Sequence, residues 1–352
     1  MFEKVTIIAE AGSNHNGRLD TALELVRRAA EAGADAVKFQ DFTLESLFSV
    51  REYGRALGVA DGAWADSVRR LAVPTEWHER LAAQARGDGI AYFSTPFSVE
   101  AVDALGPFVP YYKIASCDIT FLPLVERIAS AGKGVFLSTG ASSLGEIAAA
   151  VALLRDRPLP FVCLLHCIML YPAPPSSLNL NFIGTLSERF GLPVGFSDHS
   201  SGIDAALAAV AKGAKAIEKH ITLDTNQEGA DHRNSLDPHE LAELVKKVRL
   251  LEEMLGPAER VITEREAKER VYARRGIYAA RNLKRGERLS LDSLAFLRPN
   301  IHLGAEKLPL VMGKALLTDA AKGTAISEGM LSDPVTRRKK NVEPDYKIGY
   351  YF

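Results

Sequence analysis

Cysteine is scarce. Three residues, Cys117, Cys163 and Cys167, stand among 352 positions, an odd number with no framework spacing. That excludes a disulfide-stapled fold and implies a reducing compartment. Cys163 and Cys167 do not have the spacing of a zinc ribbon, so they read as buried structural thiols. Excess charge is missing too: 43 Lys and Arg face 44 Asp and Glu, a formal net charge of -1. That balance supplies no field for nucleic acid or an anionic membrane surface, while leaving room for a local basic pocket. No apolar run approaches the ~20 residues needed to span a bilayer. Met1-Phe2-Glu3-Lys4 leads straight into a strand-like stretch, so no secretory leader is expected. The expectation is a cytoplasmic protein with no nucleic-acid and no membrane partner. The dinucleotide fingerprint G-x-G-x-x-G is absent after the first strand-like run.

What is present is a rhythm. Hydrophobic residues make up 47% of the chain and charged residues 25%, as in a globular protein with a sizeable core. The first two-thirds repeats a short apolar run, a polar or Gly-rich turn and an amphipathic segment. Eight runs predict strands: Val5–Ala11, Ala36–Gln40, Ile90–Thr95, Tyr111–Ser116, Gly134–Thr139, Phe161–His166, Pro193–Ser197 and Ala216–Ile221. Several are continuously apolar, as in a parallel sheet covered on both faces. Between the first two, Leu19, Leu23, Val26 and Ala30 have helical spacing. Ser143-Leu144-Gly145-Glu146 is a capping-box pattern, and Pro74 and Pro238 stand where helices could begin. Eight βα units predict an α/β fold, a (β/α)8 TIM barrel over residues 1–258; the alternative is an open doubly wound sheet. A charged linker or exposed helix follows at 259–275, then a small, mainly β domain at 276–336 and a basic tail at 337–352.

In such a barrel, side chains just after each strand share one mouth. Those positions hold Glu10, Lys38 with Gln40, Thr95, Lys113 with Ser116, Ser138, His166, Ser197 with His199, and Glu218 with His220. Any one alone reads as a polar turn residue; a functional group at every strand end does not. Lys38 and Lys113 lie inside apolar runs, and a buried lysine needs an anionic partner. Either they form structural salt bridges with Glu10 or Glu218, or they receive a substrate phosphate or carboxylate. The turn Ser138-Thr139-Gly140-Ala141-Ser142 leads into a capped helix whose N–H groups suit an anion. His199 and His220 end neighbouring strands and read as a two-point metal site, suited to Mn²⁺ or Mg²⁺ rather than structural Zn²⁺. Asp198, Glu218 and Asp231 are nearby acids that could orient the imidazoles or bind water. His15 and His166 read as residues that fix turns.

Several stretches have a familiar order. They are Ile8-Ala9-Glu10-Ala11-Gly12-Ser13-Asn14-His15-Asn16-Gly17, Val37-Lys38-Phe39-Gln40, Ser94-Thr95-Pro96-Phe97, Tyr112-Lys113-Ile114-Ala115-Ser116, Leu137-Ser138-Thr139-Gly140, Phe196-Ser197-Asp198-His199, Glu218-Lys219-His220 and Asp231-His232. Together they resemble the sialic acid synthase family over almost the whole chain. From Arg275-Gly276-Ile277-Tyr278-Ala279 onward, the chain is similar to the antifreeze-like (SAF) domain that ends these synthases. The resemblance implies condensation of phosphoenolpyruvate with the open-chain aldehyde of an N-acetylated amino sugar, giving a nine-carbon 2-keto acid and phosphate. It implies that Lys38, Thr95, Lys113, Ser116, Ser138 and Ser197 hold phosphoenolpyruvate, and that His199 and His220 bind a divalent metal. It also implies a domain-swapped homodimer in which Arg298, in Leu297-Arg298-Pro299, acts from the partner subunit. Glu10, Asp118 and Asp231 are the expected acid/base and water-handling groups. Lys38, Gln40, Lys113 and Glu218 join them as catalytic candidates, and Tyr171 joins the substrate binders. Three stretches depart from the family pattern: Ser116-Cys117-Asp118, Ile168-Met169-Leu170-Tyr171-Pro172 and Asn300-Ile301-His302-Leu303. The second lacks an Asn amide that sialic acid synthases often carry, so the acceptor sugar is open. Two other readings remain: a barrel aldolase with Lys113 or Lys38 as Schiff base, and a non-catalytic sugar-binding protein.

Overall fold

The computed structural model describes residues 2–58, 63–229 and 231–332. The tail at 337–352 and the last residues of the 276–336 span lie outside them. Among the described residues, eight parallel strands close a barrel in chain order. They are β1 Thr6–Gly12, β2 Ala36–Asp41, β3 Ala91–Pro96, β4 Tyr111–Ile114, β5 Gly134–Ser138, β6 Val162–Cys167, β7 Val194–Asp198 and β8 Ala216–His220. Each coincides with one of the eight apolar runs. The runs lack a period-two pattern because helices cover the outer face while side chains fill the inside. In β1, for instance, Ile7, Ile8 and Ala9 are all fully buried. β1 closes the barrel against β8, and the register sets Glu10 opposite both His220 and Lys38.

The helices are α1 Leu19–Glu31, then α2 Leu44–Leu47, α3 Val50–Leu57, α4 Ala63–Leu71 and α5 Trp77–Gly87 in the long β2–β3 connection. They continue with α6 Val99–Leu105, α7 Leu122–Ser130, α8 Leu144–Arg155, α9 Phe182–Phe190, α10 Asp204–Ala211 and α11 Pro238–Leu255. α1 buries Ala22, Leu25, Val26 and Ala29, a stripe rotated from the expected one. Leu19 and Leu23 pack at its margin, partly buried. The expected capping box forms at α8, where Ser143 and Glu146 exchange bonds. Pro238 occupies the first turn of α11 beneath the Asp237 cap. Pro74 precedes α5 instead of starting it: its carbonyl accepts from the Trp77 N–H in a turn.

Phe2, Phe93, Tyr111, Phe136 and Phe161 interlock, mostly edge-to-face with Phe93 and Phe136 tilted, at the opposite end of the barrel from the strand C-termini. This cluster packs the interior at that end of the barrel.

The chain divides after Gly256 into two compact units. The charged segment supplies α12, Glu264–Ala273, in the second unit, where β9 Gly276–Ala279 pairs antiparallel with β10 Leu294–Leu297. Isolated bridges such as Leu283 to Ala320 and Leu316 to Leu331 extend this β character. A separate apolar cluster including Ile277, Leu283, Leu289, Val311, Leu316 and Ile326 forms its core.

Candidate active site

At the C-terminal ends of the strands lies a cavity of about 250 Å³. Of the candidates from the sequence, Asp118, Asp198, His15, His166 and Arg298 are not in its lining. Glu10, Lys38, Gln40, Thr95, Lys113, Ser116, Ser138, Tyr171, Ser197, His199, Glu218, His220 and Asp231 are all present. Asp118 is not in the lining: the short helical turn Ser116–Asp118 takes it past the rim, beside Cys117. Arg298 belongs to the second unit.

The lysines are paired across the cavity. Lys38 Nζ lies 2.6 Å from Glu10 Oε2 and donates to Thr95 Oγ1 at 3.0 Å. Lys113 Nζ donates to Glu218 Oε1 at 2.9 Å, an oxygen that also accepts from Ser197 Oγ at 2.9 Å. Glu218 Oε2 stands 3.9 Å from Lys38, which links the two pairs. Gln40 Nε2 donates to Glu10 Oε1 at 2.8 Å. The salt-bridge reading of the lysines is therefore met.

This arrangement separates the two carboxyls. Burial pushes Glu10 up to about 7, Lys38 opposes the shift and Glu218 adds to it. Burial would raise Glu218 as well, but the Lys113 and Lys38 ammonium groups override it and hold Glu218 down to about 2. Glu10 is therefore the easier of the two carboxyls to protonate, while Glu218 stays ionised between the two ammonium groups. Burial alone would lower Lys113, yet Glu218 keeps it above the usual lysine value. A Schiff-base lysine needs a depressed pKa, so Lys113 is tuned the wrong way for that chemistry.

Ser138 Oγ is buried with no hydrogen-bond partner. An unmet donor costs free energy that a ligand would recover. The turn beyond it differs from the expectation. Gly140 N–H already donates to Ser116 Oγ at 2.9 Å and Ser143 N–H to Glu146 at 2.7 Å, so these two donors are spent on internal bonds. Anion recognition here falls to side chains rather than to those backbone groups.

The His199 and His220 rings lie 5.3 Å apart, centroid to centroid. His199 Nδ1 donates to the Ile168 carbonyl at 2.9 Å, which leaves Nε2 with the lone pair. Tyr171 packs over His199 at 4.1 Å. His220 Nδ1 is buried without a hydrogen-bond partner, 3.6 Å from Asp231 Oδ2. Burial, then His220, lower His199 to about 4, and burial lowers His220 as well. Neutral imidazoles with free lone pairs suit a divalent ion. Among the described residues, no group of three or more His, Cys, Asp or Glu side chains is arranged to hold one, so the fit is two-point.

Asp198 does not orient an imidazole. It lies on the other face of β7 and accepts from Lys219 Nζ at 2.9 Å. His15 and His166 fix turns, as expected: His15 Nδ1 accepts from the Gly17 N–H at 3.0 Å, and His166 Nε2 bonds the Leu178 carbonyl at 2.7 Å. Sequence reasoning missed Phe97, Cys117, Cys167 and Met169 in the lining. A strand-end position marks Cys167, Phe97 ends the Ser94-Thr95-Pro96-Phe97 stretch, and Cys117 and Met169 lie in two of the stretches that depart from the family pattern. It also missed Lys219, whose signal was a third lysine in a barrel strand.

Barrel and site together outline a class: a (β/α)8 barrel whose mouth gathers two buried lysines, two glutamates and two imidazoles around one cavity. Residues 25–260 match the NeuB family and residues 274–332 match the SAF domain. Protein MJ1065 of Methanocaldococcus jannaschii is 43% identical over 90% of this chain and 91% of its own. The N,N'-diacetyllegionaminic acid synthase of Campylobacter jejuni is 38% identical over 89% of this chain and 96% of its own. The crystal structure of an N-acetylneuraminic acid (sialic acid) synthetase from Leptospira borgpetersenii, in complex with citrate, is 37% identical. It superposes with a TM-score of 0.70 over 76% of this chain and 90% of that one. The chain belongs to the NeuB family, the phosphoenolpyruvate-dependent nonulosonic acid synthases, with a C-terminal SAF domain. It is a transferase that condenses phosphoenolpyruvate with an amino sugar.

Proposed function

We propose that the reaction is metal-dependent, that the acceptor is the open-chain aldehyde of an acetamido sugar, and that the product is a nine-carbon 2-keto acid with release of phosphate. One observation carries this reading: two ammonium groups, an unpaired Ser138 hydroxyl and two neutral imidazoles face one cavity of about 250 Å³.

Lys38, Lys113, Thr95, Ser116, Ser138 and Ser197 hold the phosphate and carboxylate of phosphoenolpyruvate. The arriving anion shares the ammonium groups with Glu10 and Glu218; protonation of Glu10 relaxes its hold on Lys38. His199 and His220 would hold Mn²⁺ or Mg²⁺, which when bound polarises the aldehyde oxygen as a Lewis acid. The methylene carbon of phosphoenolpyruvate forms a bond to the aldehyde carbon as the aldehyde oxygen takes up the proton of Glu10, which leaves Glu10 a carboxylate. Water then adds at the former enol carbon, and its proton passes to Glu10 or Asp231. The C–O bond to phosphate breaks as the ketone forms. Gln40 fixes Glu10, and Tyr171 covers His199 and the sugar.

The acceptor proposed is a 2,4-diacetamido aldose rather than N-acetylmannosamine. Met169 lines the mouth with a thioether that offers no amide to a sugar hydroxyl and packs against an acetamido methyl. The diacetyllegionaminic acid synthase likeness supports the same choice. The test is phosphate release from phosphoenolpyruvate with Mn²⁺ and a panel of acetamido sugars, before and after chelation. Release with a diacetamido sugar, lost on chelation and restored by Mn²⁺, is expected. Higher kcat/KM with N-acetylmannosamine rejects the acceptor, and no release with any sugar rejects the reaction.

A further inference from the structure

We infer that the buried Asp198–Lys219 ion pair is a positioning device that holds His199 and His220 side by side. The inference rests on the two-imidazole metal reading above. The pattern is Ser197-Asp198-His199-Ser200 at the end of β7 and Glu218-Lys219-His220 at the end of β8. Strand alternation sends Ser197, His199, Glu218 and His220 to the cavity, and Asp198 and Lys219 to the other face. The strands are in register, with Ser197 opposite Glu218 and Asp198 opposite Lys219.

On that far face Asp198, Lys219 and Ser200 bond to one another. Lys219 Nζ donates to Asp198 Oδ2 at 2.9 Å and to the Ser200 carbonyl at 2.5 Å. Asp198 Oδ1 accepts from the Ser200 N–H at 2.8 Å and its hydroxyl at 2.6 Å. Both charged side chains are fully buried. One ammonium on β8, next in sequence to His220, thus grips the residues on both sides of His199. A pair of apolar side chains usually serves stability as well as a buried ion pair does. What this pair adds is direction: it fixes the turn after β7 against β8 where the two imidazoles leave the backbone. On the cavity side, Ser197 and Glu218 make the matching cross-strand bond at 2.9 Å.

The test is Mn²⁺ binding to the full-length protein without substrates, read by the electron paramagnetic resonance of free Mn²⁺. The Asp198→Asn/Lys219→Met double variant removes both charges and leaves no orphan ion. Its Mn²⁺ affinity should fall by at least about tenfold, while phosphoenolpyruvate affinity without metal stays within about threefold. A folded double variant that binds Mn²⁺ within about threefold of the original overturns the inference. Should the double variant not fold, Ser200→Ala removes one bond of the clamp: a loss of about threefold supports the inference and unchanged affinity overturns it. An unaltered protein that takes up no Mn²⁺ overturns the two-imidazole site and this inference together. Binding that is lost in His199→Ala but kept in the double variant overturns the inference alone.

Discussion

Lys113 shows how much one side chain holds at the residue scale. Its ammonium is buried against Glu218, so Lys113→Ala strips a counter-ion as well as a substrate contact. The variant should lose about 3–5 kcal/mol of stability in urea unfolding. Its kcat/KM should fall by about a hundredfold or more. Turnover near the original level would remove Lys113 from the mechanism. His15 makes a pH prediction. Burial lowers it to about 4, from 6.5 in the unfolded chain. Between those values the unfolded state binds the extra proton, so this contribution to stability is full above 6.5 and is lost as pH falls toward 4. His15→Gln removes this difference. The gap in unfolding free energy between the original protein and the variant should therefore shrink from pH 7 to pH 4.5; a constant gap would contradict it.

The telling element is the turn from β5 to α8. A Cβ at Gly140 would stand 2.9 Å from Ser116 Oγ, 3.0 Å from Met169 Cγ and 3.1 Å from Cys167 Sγ. These three belong to the cavity lining, so Gly140→Ala presses on the site from behind. The expected cost is about 1–3 kcal/mol, with a raised KM for phosphoenolpyruvate. An unchanged KM would mean the turn gives way without moving Ser116. The same element shows why local patterns mislead: a capped helix after a hydroxyl-rich turn reads as an anion cradle, yet the capping box and Ser116 consume two of its N–H groups.

At the scale of the whole molecule, the question is how the second domain serves the barrel. The resemblance to sialic acid synthases places Arg298 in a partner subunit's mouth. If so, Arg298→Ala and His199→Ala proteins, each inactive alone, should recover turnover when unfolded and refolded together. No recovery would show that the two residues do not act across subunits.

The sequence by itself determined the strands, because helices outside and side chains inside make each barrel strand an unbroken apolar run. It also determined most of the mouth, because a lysine, a glutamate or a histidine ending such a run has no apolar reason to be there. Tertiary structure decided the pairing: Glu10 with Lys38, Glu218 with Lys113, and Asp198 with Lys219 instead of an imidazole. It also placed Asp118 outside the lining and Met169 within it. Strand alternation is regular, so facing can be read from order alone. Partner choice depends on distances across the barrel, which no spacing along the chain encodes.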